Sequence, residues 1–245
     1  MFGSVQARVF VPGLSLFWLL GHVGPARAAM AGPGYTGLIT TPTAEVVPDG
    51  KVETGFFWLE GVHTYLFAPK TNRLLQASAG LWPGLEVTLR FTQVVGWVDP
   101  EAPAAPGGHA VDRMASVKWR LPLPDSWLPL AVGVQDMGSV NQLAGIMRNW
   151  TGATQYGQTT LYAATGSGWG PFRWHAGWAT PARNLAGAFG GLEASLPLGL
   201  VPLLEWDGRG WNVAIRWAPG ENASVLVGRL SGDTWIAGGC LRLGL

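Results

Sequence analysis

Leu85-Glu86-Val87-Thr88-Leu89-Arg90-Phe91-Thr92 alternates strictly between apolar and polar side chains. In an extended chain, successive side chains point to opposite faces. Leu85, Val87, Leu89 and Phe91 therefore share one face, and Glu86, Thr88, Arg90 and Thr92 the other. The same period recurs along the chain. Ala115, Val117 and Trp119 oppose Ser116, Lys118 and Arg120; Phe172, Trp174, Ala176 and Trp178 oppose Arg173, His175 and Gly177; Trp211, Val213, Ile215 and Trp217 oppose Asn212, Ala214 and Arg216. After Gly50 no helical periodicity competes with it, and Gly, Pro, Asn and Asp punctuate the segments.

A soluble sandwich also alternates, with its apolar face in the core. Two features favour a membrane barrel. The bulky faces carry Trp near segment ends (Trp58, Trp97, Trp119, Trp174, Trp178, Trp206, Trp211, Trp217, Trp235), where aromatic girdles would meet the two lipid interfaces. The segments run about 8 to 11 residues, the length a tilted strand needs to cross hydrocarbon. No run after the first thirty or so residues is apolar and long enough to span as a helix, so spanning requires a closed barrel. Charged residues make up 13% of the chain, against about 25% in soluble domains, which also suits a lipid-facing wall. The expected fold is all-β: an antiparallel transmembrane β-barrel of about 10–12 strands. The net charge of +1 gives no electrostatic case for nucleic acid as a partner.

The first residues read as an export signal. Arg8 supplies the positive flank, residues 9–20 the apolar stretch, and Ala26-Arg27-Ala28 a small-residue cleavage site. This predicts a signal peptide over 1–28 and one barrel domain over 29–245, placed in a bacterial outer membrane. The lone Cys240 cannot form an internal disulfide. The domain opens with an extended segment, 34–50. There Thr40, Thr41 and Thr43 flank Pro42, and Pro48-Asp49-Gly50 has turn chemistry. Residues 99–109 and 140–154 read as long loops. Residues 166–171, 180–184, 207–210, 219–222 and 231–233 read as short turns.

Several stretches resemble the YjbH family of bacterial exopolysaccharide-associated outer-membrane proteins. Gly37-Leu38-Ile39-Thr40-Thr41-Pro42-Thr43-Ala44 followed by Pro48-Asp49-Gly50 is similar to that family's opening motif. Pro129-Leu130-Ala131-Val132-Gly133-Val134-Gln135-Asp136-Met137-Gly138 resembles a recurring strand and turn, and Gly190-Gly191-Leu192-Glu193 and Leu203-Leu204-Glu205-Trp206-Asp207-Gly208 match in style. The resemblance implies a β-barrel and a role in making or exporting a surface polysaccharide. It implies membrane lipid, the polysaccharide and other secretion proteins as partners, and no catalytic residues.

The sequence carries no motif for an enzyme, cofactor or metal site. His63, His109 and His175 lie far apart, and Gly166-x-Gly168-x-Gly170 lacks the spacing of a dinucleotide fingerprint. Asp136 reads as a turn residue ahead of Gly138. A polymer hydrolase or lyase would need two carboxylates converging in a cleft, among Glu53, Glu60, Glu86, Asp112, Asp136, Glu193, Glu205 and Asp207. The functional expectation rests instead on the polar faces. Glu86, Arg90, Lys118, Arg120, Arg173 and Arg216 would line the lumen. They would either pass or hold a hydrated glycan, or pair with one another and fill the barrel. The alternative to a barrel is a soluble periplasmic β-domain that binds glycan through exposed Trp.

Overall fold

The structure, a computed structural model, describes residues 29–60, 71–95, 110–137, 159–181, 185–232 and 234–244. The predicted signal peptide lies outside them, as do the loops at 99–109 and 140–154.

Two short strands come first, β1 (Ala29–Met30) and β2 (Thr36–Gly37). Twelve longer strands follow: β3 (Lys51–Leu59), β4 (Asn72–Trp82), β5 (Leu85–Val94), β6 (Ala110–Arg120), β7 (Leu130–Met137), β8 (Thr160–Trp169), β9 (Phe172–Ala179), β10 (Gly187–Ala194), β11 (Leu200–Trp206), β12 (Trp211–Trp217), β13 (Ala223–Leu230) and β14 (Thr234–Gly244). Each pairs antiparallel with its neighbours in sequence, and β14 returns to β3, from Ile236↔Leu59 to Gly244↔Lys51. The sheet is therefore a closed twelve-stranded barrel with no free edge.

The alternating sequences set its two faces. Glu86, Thr88, Arg90 and Thr92 on β5 are buried, whereas Leu89 and Phe91 are exposed. On β12, Asn212, Ala214 and Arg216 are buried, and Trp211, Val213, Ile215 and Trp217 face out. An outer wall of Leu, Val, Ile, Phe and Trp results. Trp82, Trp119, Trp169 and Trp217 stand near one rim, and Trp178, Trp211 and Trp235 near the other, as two aromatic girdles would.

Two turn readings change. Gly166 and Gly168 lie within β8, so the turn there is only Gly170-Pro171. Small residues are needed at this point because a Cβ at Gly166 would press on the Trp174 carbonyl of β9. Asp136 lies in β7, not in a loop turn. It has a φ of 59° at a bulge where the register against β6 slips between Ala115 and Val117. The bulge re-aims the carboxylate into the lumen, as bulges commonly do to side chains.

One end of the barrel carries the shorter connections (83–84, 121–129, 170–171, 195–199, 218–222) together with the entry to β3 and the exit from β14. The longest connections leave from the other end.

Candidate functional site

The lumen is occupied. A barrel of about eight strands is filled by its own side chains, but twelve strands leave a wider interior. Residues 29–47 fill it. Nearly all of them are buried, although this stretch pairs with no barrel strand. It folds back on itself: β1 pairs with β2, Gly34 N–H closes a turn on the Ala31 carbonyl at 2.9 Å, and Leu38 N–H reaches the Thr41 carbonyl at 3.0 Å. The chain then leaves through the short-turn mouth. There Pro48-Asp49-Gly50 forms the expected turn, with Lys51 N–H on the Pro48 carbonyl at 3.0 Å.

Sequence dictates how the segment sits. Met30, Leu38 and Ile39 pack against an apolar half of the wall, with Phe57, Leu74, Leu203, Leu226 and Ile236 in the same cluster. The segment's free N–H and C=O groups turn to the polar half, because buried backbone groups need partners.

Glu205 of β11 makes the densest contact. Its fully buried carboxylate accepts the N–H groups of Ile39 (2.8 Å), Thr40 (2.9 Å) and Thr41 (3.0 Å), and the hydroxyls of Thr40 (2.6 Å) and Thr41 (2.8 Å). Asn212 donates a further amide bond at 2.8 Å. Three successive backbone N–H groups around one anion form a nest. Opposite them, Arg216 of β12 donates to the carbonyls of Gly37 (2.9 Å) and Leu38 (2.5 Å). A Cβ at Gly37 would stand 2.3 Å from the Thr41 carbonyl, so the tight loop requires glycine there. The motif Gly-Leu-Ile-Thr-Thr-Pro thus folds around one carboxylate and one guanidinium.

A second seat lies on β5 and β6. Glu86 accepts the Thr36 N–H at 2.8 Å, the Thr36 hydroxyl at 2.6 Å and the Val47 N–H at 2.9 Å. Lys118 stands 3.3 Å from Glu86 and donates to the Thr36 carbonyl at 2.7 Å. Nearby, Arg90 pairs with Asp136 at 2.9 Å and donates to the Pro33 carbonyl at 3.2 Å. Gln76 and Ser78 of β4 donate to the carbonyls of Gly32 and Gly34 at 2.9 and 2.5 Å. Gly34 has a φ of 109°, which suits glycine at this turn. The Tyr35 hydroxyl donates to the Thr40 carbonyl at 2.7 Å, tying the two turns of the segment together.

Toward the short-turn mouth, Glu45 of the exiting strap pairs with Arg173 of β9. Arg173 also meets Glu193 of β10 at 3.4 Å, and His175 lies 3.4 Å from the same carboxylate. Among the described residues no group of three or more His, Cys, Asp or Glu is arranged to hold a metal ion.

Of the residues chosen from sequence, Glu86, Arg90, Lys118 and Arg216 are buried in the lumen, and Arg173 is half-buried near its mouth. Arg120 departs from the expectation. It occupies an inward row but is exposed at the rim, where β6 ends and no opposite wall covers it. The buried four do not line open water. They bind the inserted segment, which replaces solvent as their partner. Sequence reasoning missed Glu205, Asp136, Gln76 and Ser78 as parts of one site, and missed the segment as its occupant. The available signal was the strand parity of Gln76, Ser78 and Glu205, which puts all three on inward rows.

A closed antiparallel barrel with an apolar outer wall and a polar interior filled by the segment ahead of its first strand is a plugged barrel of the outer-membrane type. The chain belongs to the YjbH family, described as "Exopolysaccharide biosynthesis protein YbjH", whose profile it matches over residues 31–190. That span begins with the inserted segment. Among solved structures, an outer membrane channel from Pseudomonas putida F1 is similar over 83% of this chain and 99% of its own, with 13% identity and a TM-score of 0.41. The N-terminal β-barrel domain of Pseudomonas aeruginosa OprF is similar over 80% of this chain and 98% of its own, with 10% identity and a TM-score of 0.26. No curated protein matches the chain.

Proposed function

We propose that this chain is a non-catalytic outer-membrane barrel that serves exopolysaccharide biosynthesis and export as a closed scaffold rather than as an open conduit. The observation that carries this reading is the lumen seat. Residues 29–47 fill the interior, and Glu86, Lys118, Glu205 and Arg216, the charges best placed to handle a passing glycan, are spent on their backbone. The outer wall, with Ile215 57% and Leu243 58% exposed, supports lipid rather than water as its surroundings. It disfavours the soluble periplasmic alternative. Short turns are periplasmic and long loops extracellular in such barrels, so the mouth where the segment leaves would face the periplasm. Partners in the secretion machinery would meet the chain there.

The test joins location, state and output. The chain should fractionate with outer membranes and migrate differently when boiled and unboiled. Purified into planar bilayers, it should show no steady conductance. A deletion strain should secrete less polysaccharide, with the full chain restoring it. A water-soluble periplasmic protein, or unchanged polymer output on deletion, would overturn the reading.

A further inference from the structure

We infer that the periplasmic-side mouth holds a binding cleft for a carboxylate-bearing saccharide, with Arg120 as its principal cation. The saccharide class rests on the exopolysaccharide reading above; the cleft and its charge do not. A cleft of about 500 Å³ opens between the strap at Ala44-Glu45 and the β8–β9 turn, and is lined by Arg120, Ser167, Arg173 and Ser195. A second, of about 420 Å³, lies on the other side of Arg120, between Val46 and the β6–β7 connection, and is lined by Pro122, Asp125 and Trp127. Arg120 and Pro129 belong to both, so the two form one groove across the mouth with a guanidinium at its middle.

The charges within the groove are unequally committed. Arg173 is held by Glu45 and Glu193. Arg90, Lys118 and Arg216 each face a carboxylate inside the lumen. The Arg120 guanidinium has no acidic partner among the described residues, and only its backbone N–H is used, on the Gly84 carbonyl at 2.7 Å. It is an open fork of donors matched to a carboxylate. Ser195 adds a hydroxyl on one side. Trp127, 65% exposed, offers a flat apolar surface on the other. A cation flanked by a hydroxyl and one exposed indole suits a sugar acid, with one anionic group and one apolar ring face. An acidic peptide would satisfy Arg120 but would leave the indole without a ring to stack on.

The strap makes binding and plug position interdependent. A ligand carboxylate beside Arg120 lies in the same cleft as the Glu45–Arg173 pair and competes with Glu45 for Arg173. Removing the Glu45 charge should therefore tighten binding.

The experiment uses the full chain in detergent, with tetragalacturonate as the acidic probe and maltotetraose as the neutral one, read by calorimetry and Trp fluorescence. The wild type should bind tetragalacturonate and not maltotetraose. Arg120→Gln should weaken binding ten- to a hundredfold without changing heat-modifiable migration. Glu45→Gln should tighten it several-fold, and Arg73→Gln, on the outer face at the far end, should leave it unchanged. Equal binding by Arg120→Gln and wild type would overturn the inference, as would equal binding of the two probes. Binding of hexa-aspartate in place of tetragalacturonate, lost in Arg120→Gln, would reassign the groove to a protein partner and overturn the saccharide. These outcomes are separate from polymer output in the deletion strain, which tests the exopolysaccharide reading alone.

Discussion

Replacing Glu205 with glutamine keeps the shape of the side chain and removes the charge around which the inserted segment folds. The amide oxygen can take the position nearest Ile39 and Thr41, which keeps the three backbone N–H bonds but makes them neutral acceptor contacts. Charge-assisted bonds are roughly twice as strong as neutral ones, which puts this loss at about 1 kcal/mol per bond. The new amide NH₂ then meets the Asn212 amide, itself a donor at 2.8 Å and fixed from behind by the Ser231 N–H on its oxygen at 2.9 Å. Two donors facing each other in a buried site cost a further ~1–3 kcal/mol. An amide loses less hydration on burial than a carboxylate, which offsets part of this. The seated segment should end up weaker by about 2–4 kcal/mol, a roughly 30- to 1000-fold shift toward the unseated state. The assay is maleimide labelling of Thr43→Cys in outer membranes, in a Cys240→Ser background. Thr43 is buried in the seated segment, so labelling tracks its departure. Glu205→Gln should speed labelling by that factor and give intermittent conductance in planar bilayers. Labelling within twofold of the parent, with silent bilayers, would refute the claim that this carboxylate holds the segment.

Other perturbations probe the rest of the structure. Gly37→Ala places a methyl 2.3 Å from the Thr41 carbonyl, so it should raise Thr43→Cys labelling at least as much as Glu205→Gln while leaving heat-modifiable migration intact. Asp136→Asn removes the carboxylate paired with the buried Arg90 guanidinium; barrel stability should fall by about 3–5 kcal/mol, seen as a lower temperature for loss of the folded gel band. Ile215→Arg on the outer wall should cost ~2–4 kcal/mol in urea titrations of folding into lipid vesicles, whereas Asp125→Asn in the β6–β7 connection should change folding little; equal effects would argue against a lipid-facing belt.

The barrel was legible because its rule is local. Leu85 to Thr92 states the period, and once the apolar face is assigned to the outside of the barrel, every alternating segment falls into place, including Phe172 to Trp178 and Trp211 to Trp217. The interior was less so. Glu86, Arg90, Lys118 and Arg216 were placed inward by parity, but parity does not say what an inward charge touches. Glu205 and Thr40 are 165 positions apart, and nothing near either residue announces the other. The segment itself follows no period, because it is held by side chains of the wall rather than paired with a barrel strand. Its Gly, Thr and Pro content read only as an extended opening. Asp136 was misread as a turn residue because a left-handed backbone at an aspartate is common in turns, and the bulge that produces it depends on β6. Arg120 followed its row correctly, but sequence does not show where a barrel wall ends.

The closure of β14 on β3 constrains the order of assembly. A barrel that zipped shut first would leave the segment to thread into a closed lumen before it could reach Glu86, Lys118, Glu205 and Arg216. The segment lies immediately ahead of β3, one of the two strands in the closing seam. The economical route is for the sheet to wrap around a segment already docked on β5 and β11, with the seam between Lys51–Leu59 and Thr234–Gly244 formed last. The insert then acts as a mandrel, on which the sheet acquires its curvature. Pulse labelling during folding into vesicles checks this: Thr43→Cys should become protected before cysteines introduced at the seam, and the reverse order would exclude it.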